Sequence, residues 1–333
     1  MYDVITVGSS TVDVFAKTKF SELIKIMSNN TKKDFLAYPT GSKILIEELN
    51  FTTGGGATNT AVCLARLGQK VSCISKTGSG SNASKIINHL KRENIDSNLI
   101  VCSKNSRTGY SIILDSLKHD RSILAFKGSN NNLKFSEINR KKLNTKWFYF
   151  STMLGESFKT LEKLAKFAEK NKIKIAFNAS EYLVKKGSRF LKNILEKTDI
   201  FVLNKDEAKL LVKKEKIDNI LKAIHKLGPR TVIITDGKNE FFVFDGEFIY
   251  SARPTKTKII ETTGAGDAFA ASFLSGMIKK NNIEFAMRLA SANSESVIQH
   301  HGAKNKLLNY KEALKIIKKE DLNIKKRKIR WKY

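Results

Sequence analysis

The strongest chemical signal in the chain is Glu261-Thr262-Thr263-Gly264-Ala265-Gly266-Asp267-Ala268-Phe269. A strand pattern precedes it and an apolar helical pattern follows. Glycines let a backbone approach a ligand closely, and a helix start turns unpaired N–H groups outward, which suits charge developing on a phosphoryl group. Asp267 falls in the first turn, where a carboxylate can take a proton from a nearby hydroxyl. Taken alone, the same residues also read as a glycine turn with a helix-start charge.

A second segment, Thr53-Gly54-Gly55-Gly56-Ala57-Thr58-Asn59-Thr60-Ala61, leads into a helix that stops at Leu67-Gly68. Three glycines again permit close approach, and Asn59 can both donate to and accept from a sugar hydroxyl. On its own this run equally describes a capped flexible loop. The chain lacks the Gly-x4-Gly-Lys-Ser/Thr phosphate loop, the Gly-x-Gly-x-x-Gly dinucleotide spacing and the protein kinase signatures.

The elements that must hold these segments alternate. Strand patterns at 3–7, 70–75, 99–102, 147–151, 173–177, 200–203 and 231–235 are interleaved with helical patterns at 57–67, 82–94, 135–143, 156–170, 188–196, 205–214 and 217–227. Strands follow at 240–244 and 247–251, then helices at 265–280, 283–299 and 310–319. Such alternation predicts an α/β fold, a mostly parallel sheet with helices on both faces. Two stretches break it. Residues 13–51 hold short strand patterns such as Lys43–Glu47, and 108–127 read as a hairpin turning at Lys118–Asp120. They could pair as a small antiparallel sheet, a lid candidate or an ordinary edge. With no repeat or low-complexity linker, one domain with an appended lid is expected over 1–333.

Composition narrows the function classes. The 333 residues are 41% hydrophobic, enough for a sizeable core and too many for a disordered chain. No run reaches the roughly 20 apolar residues that span a bilayer, and the start has no leader pattern. Cys63, Cys73 and Cys102 have no metal spacing and point to a reducing compartment, so a cytoplasmic location is expected. The net charge of +28 invites a polyanion, but 49 of the 60 basic residues are Lys spread over nearly every helix, as on a solvated surface. That distribution argues against nucleic acid. The exception is the basic tail, 320–333, where Lys325–Lys332 with Trp331 and Tyr333 could bind a single strand but more simply forms a frayed terminus.

The two glycine segments together resemble the ribokinase-like, or PfkB, family of carbohydrate and nucleoside kinases. Gly54, Gly55 and Asn59 match its amino-terminal signature and Thr262–Phe269 its carboxy-terminal one, and the resemblance runs over about residues 1–303. It implies a three-layer Rossmann-like, ribokinase-like domain with a small antiparallel β lid from about 13–51 and 107–127. It also implies ATP-dependent transfer of the γ-phosphoryl group to a hydroxyl of a small sugar, with Mg2+ as cofactor. Asp267 would be the catalytic base, and Gly264, Ala265 and Gly266 the anion hole. Asp13, Gly55 and Asn59 would bind substrate. Asn204, Glu207, Thr235, Gly237 and Asn293 would serve the nucleotide, with Glu207 meeting magnesium through water. A capping box equally accounts for Asn204 and Glu207.

Departures accompany the match. Glu261 stands where the family usually has an Asp tied to a monovalent cation, which leaves that cofactor open. Gly56 stands where ribokinases proper carry Lys, and Glu240 replaces a nucleotide-loop glycine. A nucleoside kinase and a non-catalytic sugar- or nucleotide-binding protein are the alternatives. An aromatic in the pocket (Tyr38, Phe51 or Tyr110) would favour a base, and an inward Arg107 or Arg121 a phosphosugar. Several family members pair as homodimers through the lid.

Overall fold

A computed structural model describes the chain except residues 20, 21, 29, 30, 116–120, 256, 258, 301, 320 and 330–333. In chain order the strands are β1 (Tyr2–Val7), β2 (Thr11–Lys17), β3 (Glu22–Ser28), β4 (Thr31–Ala37), β5 (Glu48–Gly54), β6 (Val71–Gly78), β7 (Ile100–Ser103) and β8 (Gly109–Asp115). They continue as β9 (Arg121–Phe126), β10 (Thr145–Ser151), β11 (Lys174–Asn178), β12 (Ile200–Asn204), β13 (Thr231–Thr235), β14 (Phe241–Phe244), β15 (Phe248–Ala252) and β16 (Lys325–Lys328).

The main sheet has ten strands in the order β16-β15-β14-β13-β12-β11-β10-β1-β6-β7. From β13 to β7 every pairing is parallel, and β14, β15 and β16 extend it antiparallel. Its central strands read as near-continuous apolar runs because helices cover both faces. Successive side chains alternate between the two cores. Phe148 and Phe150 enter one with Phe177, Phe201 and Leu161, while Tyr149 enters the other with Leu64, Phe273 and Met287. Each fully buried aromatic of this kind contributes about 2–3 kcal/mol by area removed from water.

The expected lid is a four-stranded sheet, β5-β2-β8-β9. Its outer pairs are antiparallel, but β2 and β8 run parallel because each leaves the main sheet in the same direction. The long segment between β2 and β5 carries an additional hairpin, β3–β4. Lys43–Glu47 is not a strand: β2 ends at Lys17, which pairs with Glu48, and the ladder stops at the single bond from Glu47 N to the Lys17 carbonyl. The predicted turn at Lys118–Asp120 lies outside the described residues.

Two further expectations change. Residues 135–143 form two short 3-10 turns, Phe135–Glu137 and Arg140–Lys142, rather than one helix. Glu137 caps Lys134 and is gripped by Lys76 Nζ at 2.6 and 2.8 Å, and the Asn139 side chain accepts from Lys141 N, so side chains close single turns instead of a continuous ladder. The basic tail is not frayed over its first half. Lys325–Lys328 zips onto β15, the Lys326 ammonium sits 4.2 Å over the Phe248 ring, and Arg327 makes a two-pronged ion pair with Asp218. Lysines on an edge strand also discourage further pairing. Trp331 and Tyr333 lie outside the described residues. Among the described residues no helix is long and apolar enough to cross a membrane.

Candidate active site

A cleft of about 260 Å3 opens at the carboxyl ends of β11, β12 and β13, marked by Asn178, Asn204 and Thr235. Open α/β sheets bind ligands at this edge. Its opposite wall is the start of the helix Ala265–Lys280, with Gly264, Gly266 and Asp267. Gly264 adopts φ +78°, the left-handed turn that starts the helix, and a Cβ there would lie 2.5 Å from the Ala303 side chain. Glycine thus lets the 302–304 turn pack directly behind the helix mouth. Ala265 N donates to the Thr262 carbonyl at 3.3 Å and Ala265 is not among the cleft residues, whereas Gly264 and Gly266 line the cleft at the helix mouth, where N–H groups lack intrahelical acceptors.

The Asp267 carboxyl is pushed up to about 6 by burial, while a hydrogen bond from Asn59 and the charge of Lys304 pull it back. Asn59 Nδ2 donates to Asp267 Oδ2 at 2.9 Å. Asn59 belongs to the helix Gly56–Arg66, which the glycine loop aims at Asp267. Its own Oδ1 has no hydrogen-bond partner among the described residues. A buried amide oxygen left unpaired costs about 1–3 kcal/mol, so a donor is missing at this point.

Asp13 lies on β2, beside the glycine loop. Thr11 Oγ1 donates to its Oδ1 at 2.8 Å. A Cβ on Gly54 would fall 1.7 Å from Asp13 Oδ2, so the carboxylate rests against the bare glycine backbone. Gly55 occupies the next position, immediately before the helix. Ser151, at the end of β10, abuts Gly56 and has an unpaired buried hydroxyl among the described residues. Thr52 and Ser111 pair with Asp13 across the lid sheet and share its face. Phe51 and Tyr110 pair with Val14 and Val12, on the opposite face, so neither stands beside Asp13 to stack a base. Arg107 is exposed, and the Arg121 side chain lies outside the described residues.

On the nucleotide side, Asn204 and Glu207 form the capping box. Glu207 N donates to Asn204 Oδ1 at 2.8 Å and Asn204 N to Glu207 Oε2 at 2.9 Å. Both also line the cleft. Burial pushes the Glu207 carboxyl up, and the cap hydrogen bond opposes that. Among the described residues no group of three His, Cys, Asp or Glu is placed to hold a metal. One carboxylate cannot enclose magnesium, but it fits a hydrated ion carried by phosphates, because this cation keeps several waters. Thr235 lines the cleft, whereas Gly237 sits just beyond it in the turn after β13, at φ +55°. Lys205 ties that turn to the cap through Asp236 at 2.8 Å.

Asn293 is a correction. It is fully buried, its Nδ2 donating to Ser272 Oγ at 2.8 Å and its Oδ1 accepting from Leu308 N at 2.9 Å. It joins two helices to the following turn and leaves no polar atom for a nucleotide. Glu261 Oε2 accepts from Gly302 N at 2.8 Å, tying the second glycine segment to the 302–308 turn. Asn178, Ser151 and Lys304 were not singled out in the sequence. Each comes from a segment without a motif; strand order places Asn178 and Ser151, and the turn packed behind Gly264 places Lys304.

A family model described as pfkB family carbohydrate kinase matches residues 12–309. The chain is 26% identical over 291 residues to a ribokinase of Haemophilus influenzae, covering 83% of this chain and 91% of that one. It is 26% identical over 278 residues to a cytidine kinase of Thermococcus kodakarensis, covering 81% and 94%. The solved Arabidopsis thaliana ribokinase, complexed with ribose and ATP, superposes with a TM-score of 0.79 at 21% identity, over 95% of this chain and 99% of that one. With its two glycine segments joined through the Asn59–Asp267 hydrogen bond on a ribokinase-like fold, this chain belongs to the pfkB family of carbohydrate kinases, phosphotransferases that act on an alcohol.

Proposed function

We propose that the chain transfers the γ-phosphoryl group of ATP to a hydroxyl of a small sugar, with Asp267 as the base. The observation that supports this reading is the Asn59–Asp267 hydrogen bond, which joins the helix after the glycine loop to a carboxyl that lines the cleft. Asp267 removes the proton of the substrate hydroxyl. That oxygen forms the new bond to phosphorus as the bond from the γ-phosphorus to the bridging oxygen breaks and ADP leaves. The N–H groups at Gly264 and Gly266 receive the charge that develops on the phosphoryl oxygens, while Ala265, its N–H held by the Thr262 carbonyl, shapes the turn between them. Asn204, Glu207 and Thr235 line the nucleotide side, with Gly237 in the adjoining turn. Magnesium, when bound, neutralises phosphate charge, and Glu207 would meet it through water.

Asp13, Gly55 and Asn59 would hold the substrate. A sugar is favoured over a nucleoside because Asp13 is bonded by Thr11 and paired across the sheet with the hydroxyl-bearing Thr52 and Ser111; Phe15, two residues along β2, is the aromatic on that face that a base would use. The lid's other face exposes Phe51, Ile112, Leu124 and Phe126, an apolar patch that supports a homodimer through the lid. The test is an ADP-release assay with Mg-ATP against sugars, phosphosugars and nucleosides. A sugar turning over well above the rest is expected. A nucleoside in that place would overturn the substrate class, and silence with ATP still bound would leave a binding protein on a kinase fold.

A further inference from the structure

Lys304 is buried, 7% exposed, in a turn that no motif marks. Its ammonium donates to Thr53 Oγ1 at 2.8 Å, to Thr58 Oγ1 at 3.3 Å and to the Thr53 carbonyl. Its own carbonyl accepts from Arg66 Nη1 at 3.2 Å, at the far end of the helix that carries Asn59. The residue therefore runs alongside that helix and is fastened at both ends. Ala303, one position earlier, packs against Gly264 at the helix mouth. One turn thus touches the substrate loop and the catalytic loop together.

A buried ammonium with only neutral acceptors is costly unless its charge has work to do. Asp13 and Asp267 both act on it electrostatically, as do Glu93 and Cys73. Glu93 is already paired with Arg66 at 2.6 Å, and burial pushes the Cys73 thiol up to about 11 and His89 down to about 4, so both stay neutral near pH 7. The two site carboxylates are left as the net recipients of the charge.

We propose that Lys304 is a positioning residue of the phosphoryl transfer: its tethered ammonium fixes the glycine loop against the catalytic loop and sets its positive charge on the Asp267 carboxylate. The inference rests on the sugar-kinase reading above. Burial brings the ammonium itself down to about 8. The charge is therefore present below that pH and lost above it.

The wild type should give a bell-shaped kcat/KM, rising through about 6 and falling through about 8. In Lys304→Met, and in Lys304→Gln as a second neutral variant, the rising limb should move up by about one pH unit and the falling limb should vanish. Lys304→Arg should keep the rising limb in place. A uniform drop at every pH with both limbs unmoved would mark Lys304 as purely structural and overturn the proposal. An independent readout follows the Asp267 carboxyl by NMR in aspartate-labelled protein, with Asp267→Asn for assignment. Asp267 should titrate about one unit higher in the neutral variants, and an unmoved titration would sink the proposal. If the wild type transfers no phosphoryl group, the sugar-kinase reading fails, and the NMR comparison still decides the electrostatic role.

Discussion

Gly54→Ala should disable substrate binding by a steric route that can be worked from the structure. A Cβ at this position would lie 1.7 Å from Asp13 Oδ2, and real Cβ contacts do not fall below 3.0 Å, so the carboxylate must retreat by at least 1.3 Å. Its hydrogen bond from Thr11, 2.8 Å long, stretches or breaks in the process. A displacement of about 1 Å at a positioning group can cost on the order of 100-fold in rate. If Asp13 binds a substrate hydroxyl, KM for the sugar should rise tenfold or more while KM for ATP stays within about twofold. The decisive assay is a double-mutant cycle with Asp13→Ala, scored on kcat/KM. If Gly54→Ala acts by pushing Asp13, it should add little once Asp13 is gone. An unchanged KM for the sugar, or two fully additive losses, would refute the reasoning.

Other consequences are separable. Asp267 must be unprotonated to accept a proton, and burial raises it to about 6, so kcat/KM should be lost as pH falls through about 6; a limb near 4 would mean the carboxyl is not desolvated in solution. Glu207→Gln retains the capping box in its amide form, so the melting temperature should hold while the magnesium requirement rises; an unchanged metal titration would remove Glu207 from that role. Deleting 321–333 removes β16 and the Arg327–Asp218 pair, which should lower Tm by several degrees, whereas a frayed tail would leave it unchanged.

What the sequence made legible was local. The helix at 156–170 spaces Phe158, Leu161, Leu164, Ala165 and Ala168 along one face, and all five are buried. The glycines at 54–56 and 264–266 announce close approach by their type alone. What escaped was set by long-range contacts. Asn293 is expected at the nucleotide only through the family resemblance, yet Ser272 and Leu308 N engage its amide in the fold. Asn178 carries no motif and enters the cleft only because β11 adjoins β12. Residues 135–143 have helical spacing, but the Lys76–Glu137 contact to β6 prevails over it. The basic tail gave no strand signal because its pairing partner, β15, lies more than 70 residues earlier.

The central claim is that Asp267 takes the proton of the acceptor alcohol, and Asp267→Asn tests it most directly. The substitution keeps the size of the side chain and removes its basicity. With Mg-ATP and the sugar identified by the panel, kcat should fall by about 1,000-fold or more, while binding of sugar and ATP, measured by calorimetry, stays within a few-fold of wild type. Retained turnover, or loss of both ligands together with activity, would contradict the account.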